Sequence, residues 1–570
     1  MKNQNYKPHY QFRRIVVLSV FLLAIVGLFW RALDMQVINQ PFFQQQGDAR
    51  HLRVVPISAH RGDIYDRNGE PLAISTPVDS VWANPKEIKN NLHRITEIAK
   101  ILKINTQQLR KKLIKNSNRE FVYILRQVSP DIGKKIKALG IKGVYLQREY
   151  KRYYPDGEVT SHVIGFADVD DKGQEGLELA YDDWLSGEPG SKKVIRDRLG
   201  RIIDDVERIK TAEPGKPVQL SIDRRIQYLA YQSLTAAVKK HKATAGSAVV
   251  LNVHTGEILA MVNHPSFNAN DRSQLKPGVY RNRSVTDVFE PGSTMKPFTI
   301  AAALETGRWN PKDKVQTSPG YYKVQGSTIK DMRNYGKLNL GEILLKSSNV
   351  GVSKIALSLK KEQQFDMYLK LGFGVNSGSG FPGERNGNLR TVNVSKFERA
   401  TMSFGYSLSV TPLQLARAYS AIAANGILYP ISFLRRESVV EGERVMSETT
   451  AKQVRSMMER VVSPEGTANN AAIANYRVAG KTGTIHKFIS GGYAKDRYIS
   501  VFAGMAPATN PRMVMVVMLN DPKNGQHYGG QVAAPVFSKV MSGALRILDI
   551  APDDLQYAEK KSKKINGKRA

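Results

Sequence analysis

The segment from Glu290 to Leu304 reads EPGSTMKPFTIAAAL and places a serine at the start of an alanine-rich run. Pro291-Gly292 followed by serine is a typical helix entry, and the run from Phe298 onward favours a helix. Ser293 and Lys296 stand three positions apart, so they share one face of that helix with side chains about 5–6 Å apart. An amine at that distance is placed to take the proton of a serine hydroxyl, which makes Ser293 a candidate nucleophile.

A Ser-x-x-Lys pattern alone is a weak signal, because this chain also contains Ser327-Thr328-Ile329-Lys330. The second copy lies among glycine and tyrosine residues and opens no apolar helix. The context therefore selects Ser293.

Two further motifs follow Ser293. Ser347-Ser348-Asn349 comes about fifty residues later, and Lys481-Thr482-Gly483-Thr484 about 130 residues after that. Ser266-Phe267-Asn268 also fits Ser-x-Asn, but it precedes Ser293. Taken singly, each motif is commonly a capping serine, a loop asparagine or a surface lysine. The ordered set resembles that of penicillin-binding proteins and serine β-lactamases, and it predicts that the three motifs meet at one cleft.

Two competing patterns fail on their context. Gly378-Ser379-Gly380-Phe381-Pro382-Gly383 fits the dinucleotide-binding pattern, yet it contains a proline and opens no helix. Gly480-Lys481-Thr482 resembles the end of a phosphate-binding loop, but Asn475 stands where that loop needs its first glycine. The sequence therefore predicts no nucleotide site.

The composition restricts the chemistry further. The 570 residues include no cysteine, which excludes disulfides, thiol catalysis and cysteine-ligated metals. The ten histidines form no metal-binding pattern, so we expect neither a metal nor another cofactor. The net charge of +33 favours polyanionic surroundings such as nucleic acid, an anionic membrane or an acidic polymer. Because no nucleic-acid-binding motif accompanies it, we expect no nucleic-acid partner.

Residues 15–30, IVVLSVFLLAIVGLFW, carry no charge. Sixteen helical residues span about 24 Å, and continuation toward Val37, with Arg31 snorkelling, would cross the ~30 Å hydrocarbon core. No small-residue cleavage site follows, which favours an uncleaved anchor over a signal peptide; a buried core helix is the other alternative. The four basic residues that precede the run predict that residues 1–14 are cytoplasmic, so the main body of the chain lies outside the cytoplasm.

The remaining chain divides into two regions. Residues 38–215 mix short strand-like runs (Leu52–Ile57, Gly143–Leu146) with a basic amphipathic stretch, Leu92–Leu113, and end in a linker-like segment at Glu213–Pro217. Residues 216–550 alternate predicted strands (218–222, 247–252, 257–262, 512–519) with predicted helices (224–238, 535–548). The alternation indicates an α/β (α+β) fold, followed by a basic tail at 551–570.

Other stretches are similar to class B penicillin-binding proteins. Arg61-Gly62-Asp63-Ile64-Tyr65-Asp66-Arg67-Asn68-Gly69 resembles the opening motif of their N-terminal module. Residues 174–178 and 220–223 also resemble this class. Within the class, four stretches resemble the division-specific transpeptidases: 333–336, 347–351, 405–414 and 528–537. The resemblance implies a penicillin-binding, serine β-lactamase-like transpeptidase domain at 216–550. It also implies an extended mixed α+β pedestal of the dimerisation type at 38–215 and a single transmembrane helix at 15–37.

The resemblance further implies a reaction, the D,D-transpeptidation that cross-links peptidoglycan stem pentapeptides and that β-lactams block. Ser293 would attack the carbonyl of the penultimate D-Ala, and an amine from a neighbouring stem would resolve the acyl-enzyme. The implied catalytic residues are Ser293, Lys296, Ser347, Asn349 and Lys481, and the implied substrate-binding residues are Thr482, Gly483 and Thr484.

Each motif receives a part in this chemistry. Lys296 would be the base, which requires its pKa to fall about three units from ~10.4 through burial and the neighbouring Lys481. Ser347 would relay a proton to the leaving group, and Asn349 would hold the substrate amide. The edge strand from Lys481 to Thr484 would pair with the peptide, with Lys481 or Thr482 on its carboxylate. The backbone N–H groups of Ser293 and Thr484 would form the oxyanion hole.

Residues 38–215 carry no glycosyltransferase motif, so the resemblance implies a membrane polymerase partner such as FtsW, among other division proteins. It places the protein in the bacterial inner membrane at the division septum, with the transpeptidase domain in the periplasm. The alternatives are an elongation-type transpeptidase, a D,D-carboxypeptidase, a β-lactamase and a catalytically silent division scaffold.

Overall fold

The computed structural model describes residues 10–43, 45, 52–57, 59–196, 202–271, 273, 278–438 and 440–554. Most of the predicted cytoplasmic tail and of the basic C-terminal tail lies outside the described residues.

The helices follow one another along the chain as α1 Tyr10–Leu33, α2 Pro85–Ile88, α3 Ile95–Leu102, α4 Thr106–Lys115, α5 Pro130–Ala138, α6 Ser161–Ile164, α7 Gly176–Ala180, α8 Asp182–Ser186, α9 Arg224–Lys240, α10 Arg283–Thr286, α11 Lys296–Glu305, α12 Leu340–Lys346, α13 Asn349–Ser358, α14 Lys361–Lys370, α15 Lys396–Met402, α16 Pro412–Ala423, α17 Glu448–Val462, α18 Gly529–Val532 and α19 Ala534–Ile547. Tighter 3₁₀ turns cover Lys89–Arg94, Gly292–Met295 and Asn469–Ala471, and Asp34–Ile38 is π-helical.

The strands are β1 Leu52–Ile57, β2 Ile64–Tyr65, β3 Pro71–Ala83, β4 Val122–Val128, β5 Val144–Tyr153, β6 Phe166–Ala167, β7 Gly173–Glu175, β8 Gly190–Arg196, β9 Ile202–Lys210, β10 Val218–Gln219, β11 Ala245–Asn252, β12 Ile258–His264, β13 Lys314–Gln316, β14 Tyr321–Val324, β15 Ser327–Lys330, β16 Lys337–Asn339, β17 Ile427–Leu428, β18 Glu443–Arg444, β19 Ala479–Ile489, β20 Gly492–Ala506 and β21 Met513–Asn520.

The apolar N-terminal run forms a helix. Together, α1 and the π-helical turn cover Tyr10–Ile38, 29 residues, and no residue of α1 is buried by the rest of the described chain. At 1.5 Å per residue this length exceeds the ~30 Å hydrocarbon core. Within the described residues it is the one helix long and apolar enough to cross a membrane. The predicted anchor, residues 15–37, lies inside it.

The first compact unit comprises residues 1–60, 77–150 and 187–214. Its core is formed by apolar side chains of α3, α4 and β4, among them Ile98, Leu109 and Ile124. The basic stretch predicted at Leu92–Leu113 is helical, but it forms two helices because Lys103 adopts a left-handed conformation (φ 54°) between them.

The second compact unit comprises residues 61–76, 151–186 and 215–570. Its centre is an antiparallel sheet in the order β12-β11-β21-β20-β19, which leaves β19 at an edge. The hairpin predicted at 247–252 and 257–262 is confirmed as β11 and β12. Helices α9 and α19 pack on the sheet and on each other, and α16 packs on β11, β20 and β21. This mixed arrangement is the predicted fold class.

One detail of the second unit differs from the sequence prediction. The strand predicted at 218–222 ends at Gln219, because Leu220 makes only an isolated bridge to Leu434 and Asp223 caps α9 through the Arg225 N–H. The second unit also includes residues 61–76 and 151–186. The domain boundary between residues 215 and 216 stays a prediction.

The motif that begins at Arg61 is part of the interior of the second unit. Arg61 is buried and donates to the Glu178 carboxylate at 2.8 Å, and Arg152 donates to the other oxygen of Glu178 at 2.6 Å. A Cβ on Gly62 would lie 2.1 Å from the Lys216 carbonyl oxygen, so the chain passes there without room for a side chain. The 61–69 and 174–178 motifs are therefore joined directly, through the contact of Arg61 with Glu178.

Candidate active site

Ser293 lies in the 3₁₀ turn Gly292–Met295, immediately before α11. Gly292 has φ +57°, and its N–H donates to the Gly405 carbonyl at 3.0 Å. Gly405 also has a positive φ (+85°), and a Cβ there would lie 2.1 Å from the Gly292 carbonyl oxygen. The two glycines therefore permit the backbone contact that holds the serine turn. The buried hydroxyl of Tyr419 donates to the Thr294 carbonyl at 2.8 Å and fixes the same turn from α16.

Ser347 follows α12 in a left-handed conformation, φ 56° and ψ 42°, which is uncommon for a residue with a side chain. Ser348 then caps α13 by accepting from the Gly351 N–H, and Asn349 is the first residue of that helix. Asp331 accepts from the Ser348 hydroxyl (2.6 Å), the Asn349 N–H (2.6 Å) and the Val350 N–H (3.0 Å). Its carboxylate therefore satisfies the start of α13 and holds the Ser-x-Asn motif in place.

Lys481 to Thr484 lie on the edge strand β19, as predicted. The Lys481 side chain is fully buried. A Cβ on Gly483 would lie 2.9 Å from the Pro291 carbonyl oxygen, so β19 passes close to the turn that carries the nucleophile. The absence of a side chain at Gly483 allows this approach.

The three motifs meet at the hydroxyl of Ser347. Lys296 Nζ donates to Ser347 Oγ at 3.0 Å, and Lys481 Nζ donates to the same oxygen at 3.1 Å. Ser347 Oγ donates to Ser293 Oγ at 3.0 Å. Lys296 Nζ also donates to Asn349 Oδ1 at 2.8 Å and to the Ser347 carbonyl at 2.6 Å. The five residues predicted to be catalytic thus form one connected hydrogen-bond network.

One contact differs from the expectation. The Ser-x-x-Lys spacing favoured a direct Ser293–Lys296 contact, but among the described residues the hydrogen-bond partner of Ser293 Oγ is Ser347 Oγ. Lys296 is turned toward Ser347 and Asn349 instead. Ser347 therefore links Ser293 to Lys296 through two consecutive hydrogen bonds.

Burial lowers the pKa values of both lysines of the network. Burial, reinforced by the charge of Lys481 and opposed by Asp331, holds the pKa of Lys296 well below its usual value. Burial lowers the pKa of Lys481 to about 7. Desolvation penalises an ammonium, and a second cation nearby penalises it further. This is the environment that the sequence required if Lys296 is to act as a base.

The remaining predicted residues line the same region. Thr482 Oγ1 lies 2.9 Å from Thr467 Oγ1, and Thr484 Oγ1 accepts from the Gly529 N–H at 3.0 Å. The second Ser-x-x-Lys copy is the short strand β15 rather than a helix start. Its Lys330 carbonyl accepts from Asn349 Nδ2 at 3.1 Å, so this copy supports the site through its backbone.

Sequence reasoning missed Asp331, Tyr419 and the Gly405 contact. Each acts through a partner distant in sequence, since the Tyr419 hydroxyl donates to the Thr294 carbonyl and the Gly405 carbonyl accepts from the Gly292 N–H. The available signal was the position of Asp331, which directly follows the second Ser-x-x-Lys copy.

Residues 246–542 match the family model described as the penicillin binding protein transpeptidase domain, and residues 56–220 match the penicillin-binding protein dimerisation domain. Peptidoglycan D,D-transpeptidase FtsI of Escherichia coli (strain K12) is 44% identical over 560 residues, which cover 97% of this chain and 95% of that protein. The chain is a class B penicillin-binding protein.

Other relatives of this class B penicillin-binding protein agree with that assignment. The probable peptidoglycan D,D-transpeptidase PenA of Neisseria gonorrhoeae is 42% identical over 544 residues, covering 94% of this chain and 93% of that protein. A solved peptidoglycan synthetase from Bifidobacterium adolescentis has a TM-score of 0.71 and 27% identity, and covers 88% of this chain and 98% of that chain. The solved transpeptidase domain of Burkholderia pseudomallei penicillin-binding protein 3 has a TM-score of 0.55 and 46% identity, covering 59% of this chain and 97% of that chain.

These findings confirm the predicted fold class, a transpeptidase domain preceded by a pedestal of the dimerisation type. With the apolar helix α1, they make this class B penicillin-binding protein a single-pass membrane protein.

Proposed function

We propose that this class B penicillin-binding protein is the peptidoglycan D,D-transpeptidase that cross-links stem peptides of the division septum through an acyl-enzyme on Ser293. The observation that carries the proposal is the contact of Ser293 Oγ with Ser347 Oγ, which in turn binds two buried lysines whose pKa values are lowered. The similarity to relatives named peptidoglycan D,D-transpeptidase FtsI supports both the reaction and its use in division.

Acylation begins with the proton of Ser293. The neutral amine of Lys296 accepts a proton from Ser347 while Ser347 accepts the proton of Ser293, and Ser293 Oγ attacks the carbonyl carbon of the penultimate D-Ala. The C–N bond to the terminal D-Ala then breaks, and the leaving amine takes a proton back along the same path through Ser347. Lys296 returns to its neutral form, and an ester joins Ser293 to the donor stem.

The substrate is held by the elements around this network. The donor peptide pairs in extended form with the free edge of β19, and its terminal carboxylate binds at Lys481 and Thr482. The second N–H of the Asn349 side-chain amide remains for a substrate carbonyl, since one N–H donates to Lys330. The backbone N–H groups of Ser293 and Thr484 stabilise the oxyanion.

An amine of a neighbouring stem resolves the acyl-enzyme. The amine nitrogen attacks the ester carbonyl and gives a proton to the same base, the C–O bond to Ser293 breaks, and the proton returns through Ser347 to the Ser293 oxygen as the new amide leaves. β-Lactams enter as analogues of the D-Ala-D-Ala end and leave Ser293 acylated, because their leaving group stays attached.

The membrane arrangement completes the proposal. Four basic residues precede the apolar helix, which favours a cytoplasmic N-terminus and a periplasmic transpeptidase domain. We propose that a membrane polymerase such as FtsW supplies the glycan strands at the septum, since the pedestal sequence carries no glycosyltransferase motif.

A depletion experiment separates this function from its rivals. Cells depleted of the wild-type protein are supplied with either Ser293→Ala or the matched variant Ser327→Ala, which alters the second Ser-x-x-Lys copy. We expect Ser327→Ala to restore septa, and Ser293→Ala to leave cells elongated without septa. Septation with Ser293→Ala would establish a scaffold role instead. Loss of rod shape rather than of septa on depletion would establish an elongation-type enzyme.

A further inference from the structure

Beside the Ser-x-Asn motif, strands β14 and β15 form a hairpin with one buried and one exposed face. Ile329 is buried on the inner face. On the other face, Tyr321 stands opposite Lys330 and Lys323 opposite Thr328, and all four side chains are exposed. Because side chains alternate between the two sides of a strand, these four share one surface, the outer face of the hairpin.

The outer face ends beside the catalytic network. The Lys330 carbonyl accepts from Asn349 Nδ2, and Asn349 Oδ1 accepts from Lys296 Nζ. The next residue, Asp331, accepts from the first N–H groups of α13. The Lys330 ammonium therefore lies within one lysine side chain of the backbone that contacts Asn349.

The hairpin belongs to a basic lobe, residues 312–339, which comprises β13 to β16. The lobe contains six exposed Lys and Arg side chains and two carboxylates. Both carboxylates are occupied, since Asp313 accepts from a backbone N–H and Asp331 binds the start of α13. Among the described residues, none of the six cations lies within ion-pair distance of a carboxylate. Other surface cations of the second unit do pair, as Lys452 does with Glu448, so the lobe has positive charge left for a ligand.

Within the outer face, Lys323 and Lys330 are diagonal neighbours on adjacent strands. Such neighbours lie about 7–8 Å apart, a spacing at which two ammonium groups reach carboxylates of one short peptide. Tyr321 stands opposite Lys330 and is 49% exposed, so it adds an apolar contact. The outer face is thus suited to an anionic peptide.

The proposed function, on which this inference rests, brings such a peptide to this side of the cleft. The donor stem pairs with the edge of β19, so the second stem enters from another side. Its amine takes the position of the leaving amine, because both exchange a proton with Ser347. Ser347 and Asn349 lie beside the basic lobe, and stem peptides carry free carboxylates in addition to their reacting groups.

We propose that the outer face of the β14–β15 hairpin binds carboxylates of the acceptor stem through Lys323 and Lys330. The face holds the acceptor so that its amine meets the acyl-enzyme, and it selects an anionic acceptor over a neutral one. Neither lysine takes part in proton transfer at Ser293.

The test measures how two acceptors resolve the same acyl-enzyme. A thioester analogue of the donor end acylates Ser293 of the full-length protein, and its thiol leaves with the proton. The acceptors are N-acetyl-glutamyl-lysine, with free carboxylates, and N-acetyl-glutaminyl-lysine amide, which has carboxamides in their place; mass spectrometry quantifies the amide product. At subsaturating concentration we expect the wild type to use the carboxylate acceptor about fivefold faster, as suits exposed ion pairs, and high salt to reduce this preference.

Variants of the two lysines locate the effect. The double variant Lys323→Gln, Lys330→Gln should use the two acceptors equally, and the double variant Lys323→Arg, Lys330→Arg should keep the preference. The matched control is Lys239→Gln, Lys240→Gln, which removes the same charge from two exposed lysines at the end of α9. This control should keep the preference of the wild type.

Each outcome decides the matter. Equal use of the two acceptors by the wild type would overturn the proposal and leave the outer face to solvent or to anionic lipid, and this comparison needs no variant. A preference that survives Lys323→Gln, Lys330→Gln, or one that the α9 control also loses, would overturn it as well. Hydrolysis of the thioester with no amide product from either acceptor would instead overturn the proposed function.

Discussion

Among single residues, Ser347 has the most connected side chain of the site, because its hydroxyl joins two lysines to Ser293. It adopts a left-handed backbone conformation, which costs free energy for a residue with a Cβ and is common at functional sites. The conformation turns the hydroxyl into the network instead of extending α12. The strained backbone of Ser347 thus positions its Oγ between the two lysines and Ser293.

Replacing Ser347 tests this arrangement. We expect Ser347→Ala to slow acylation of Ser293 by penicillin about 10²–10⁴-fold, because the proton path to Lys296 loses its middle atom. Stopped-flow labelling with a fluorescent penicillin measures the rate, and Ser327→Ala provides the matched serine control. An acylation rate within threefold of the wild type would show that Lys296 reaches Ser293 without this hydroxyl.

The pH dependence of acylation reports the lowered lysine pKa values. The neutral fraction of an ordinary lysine, whose pKa is ~10.4, rises about tenfold per pH unit from pH 7 to 9. If such a lysine were the base, the acylation rate would rise by the same factor. Here burial, reinforced by the charge of Lys481, holds the pKa of Lys296 well below its usual value, so the neutral amine forms at lower pH than it does for an ordinary lysine. We therefore expect no such tenfold rise in the acylation constant across that range. A tenfold rise per pH unit would mean that Lys296 is protonated at neutral pH.

Among the elements, the serine turn and α13 show which part of the site was predictable. The ordered motifs correctly predicted that Ser293, Ser347 and Lys481 meet, because each sits at the boundary or edge of a regular element. The pattern did not reveal that Ser347 stands between Ser293 and Lys296, since the left-handed conformation of Ser347 follows from how α12 ends. The Asp331 contacts depend on a chain reversal between β15 and α13, which local periodicity does not encode.

The close approach of Gly405 to Gly292 gives an element-level prediction. Gly405→Ala would force a Cβ to within 2.1 Å of the Gly292 carbonyl oxygen, and we expect a loss of about 3 kcal/mol or more in unfolding free energy together with impaired acylation. Gly307→Ala is the matched control, because Gly307 also has a positive φ but, apart from its chain neighbours, no atom of the described residues lies within 4 Å of its Cβ position. That variant should lose only about 1–2 kcal/mol and should acylate normally. Thermal unfolding and penicillin labelling of both variants check the difference, and equal losses would contradict it.

At the scale of the whole molecule, the absence of cysteine makes the membrane topology directly testable. Asn5→Cys lies before the apolar helix, and Ser438→Cys lies in an exposed segment of the second unit. A membrane-impermeant maleimide added to spheroplasts should label Ser438→Cys and spare Asn5→Cys until the membrane is broken. The basic segment before the helix is expected to stay on the cytoplasmic side, where the reagent does not reach it. The reverse pattern would contradict the proposed topology.

Composition alone did not indicate which polyanion the net charge of +33 is suited to, and the fold narrows that choice. With a membrane helix and a transpeptidase domain, the proposed topology would place the basic body among anionic lipid and wall polymer. Composition could not distinguish these partners, since every polyanion attracts positive charge in the same way. The family assignment, whose substrate is peptidoglycan, favours wall polymer among them.

The central claim is that Ser293 is the acylated nucleophile of this protein. The most direct measurement labels the full-length protein with a fluorescent penicillin and locates the adduct by peptide mass spectrometry, with Ser293→Ala and Ser327→Ala in parallel. We predict a lasting adduct on Ser293 in the wild type and in Ser327→Ala, and no label on Ser293→Ala. An unlabelled wild type, an adduct lost within seconds, or a label retained by Ser293→Ala would contradict the account.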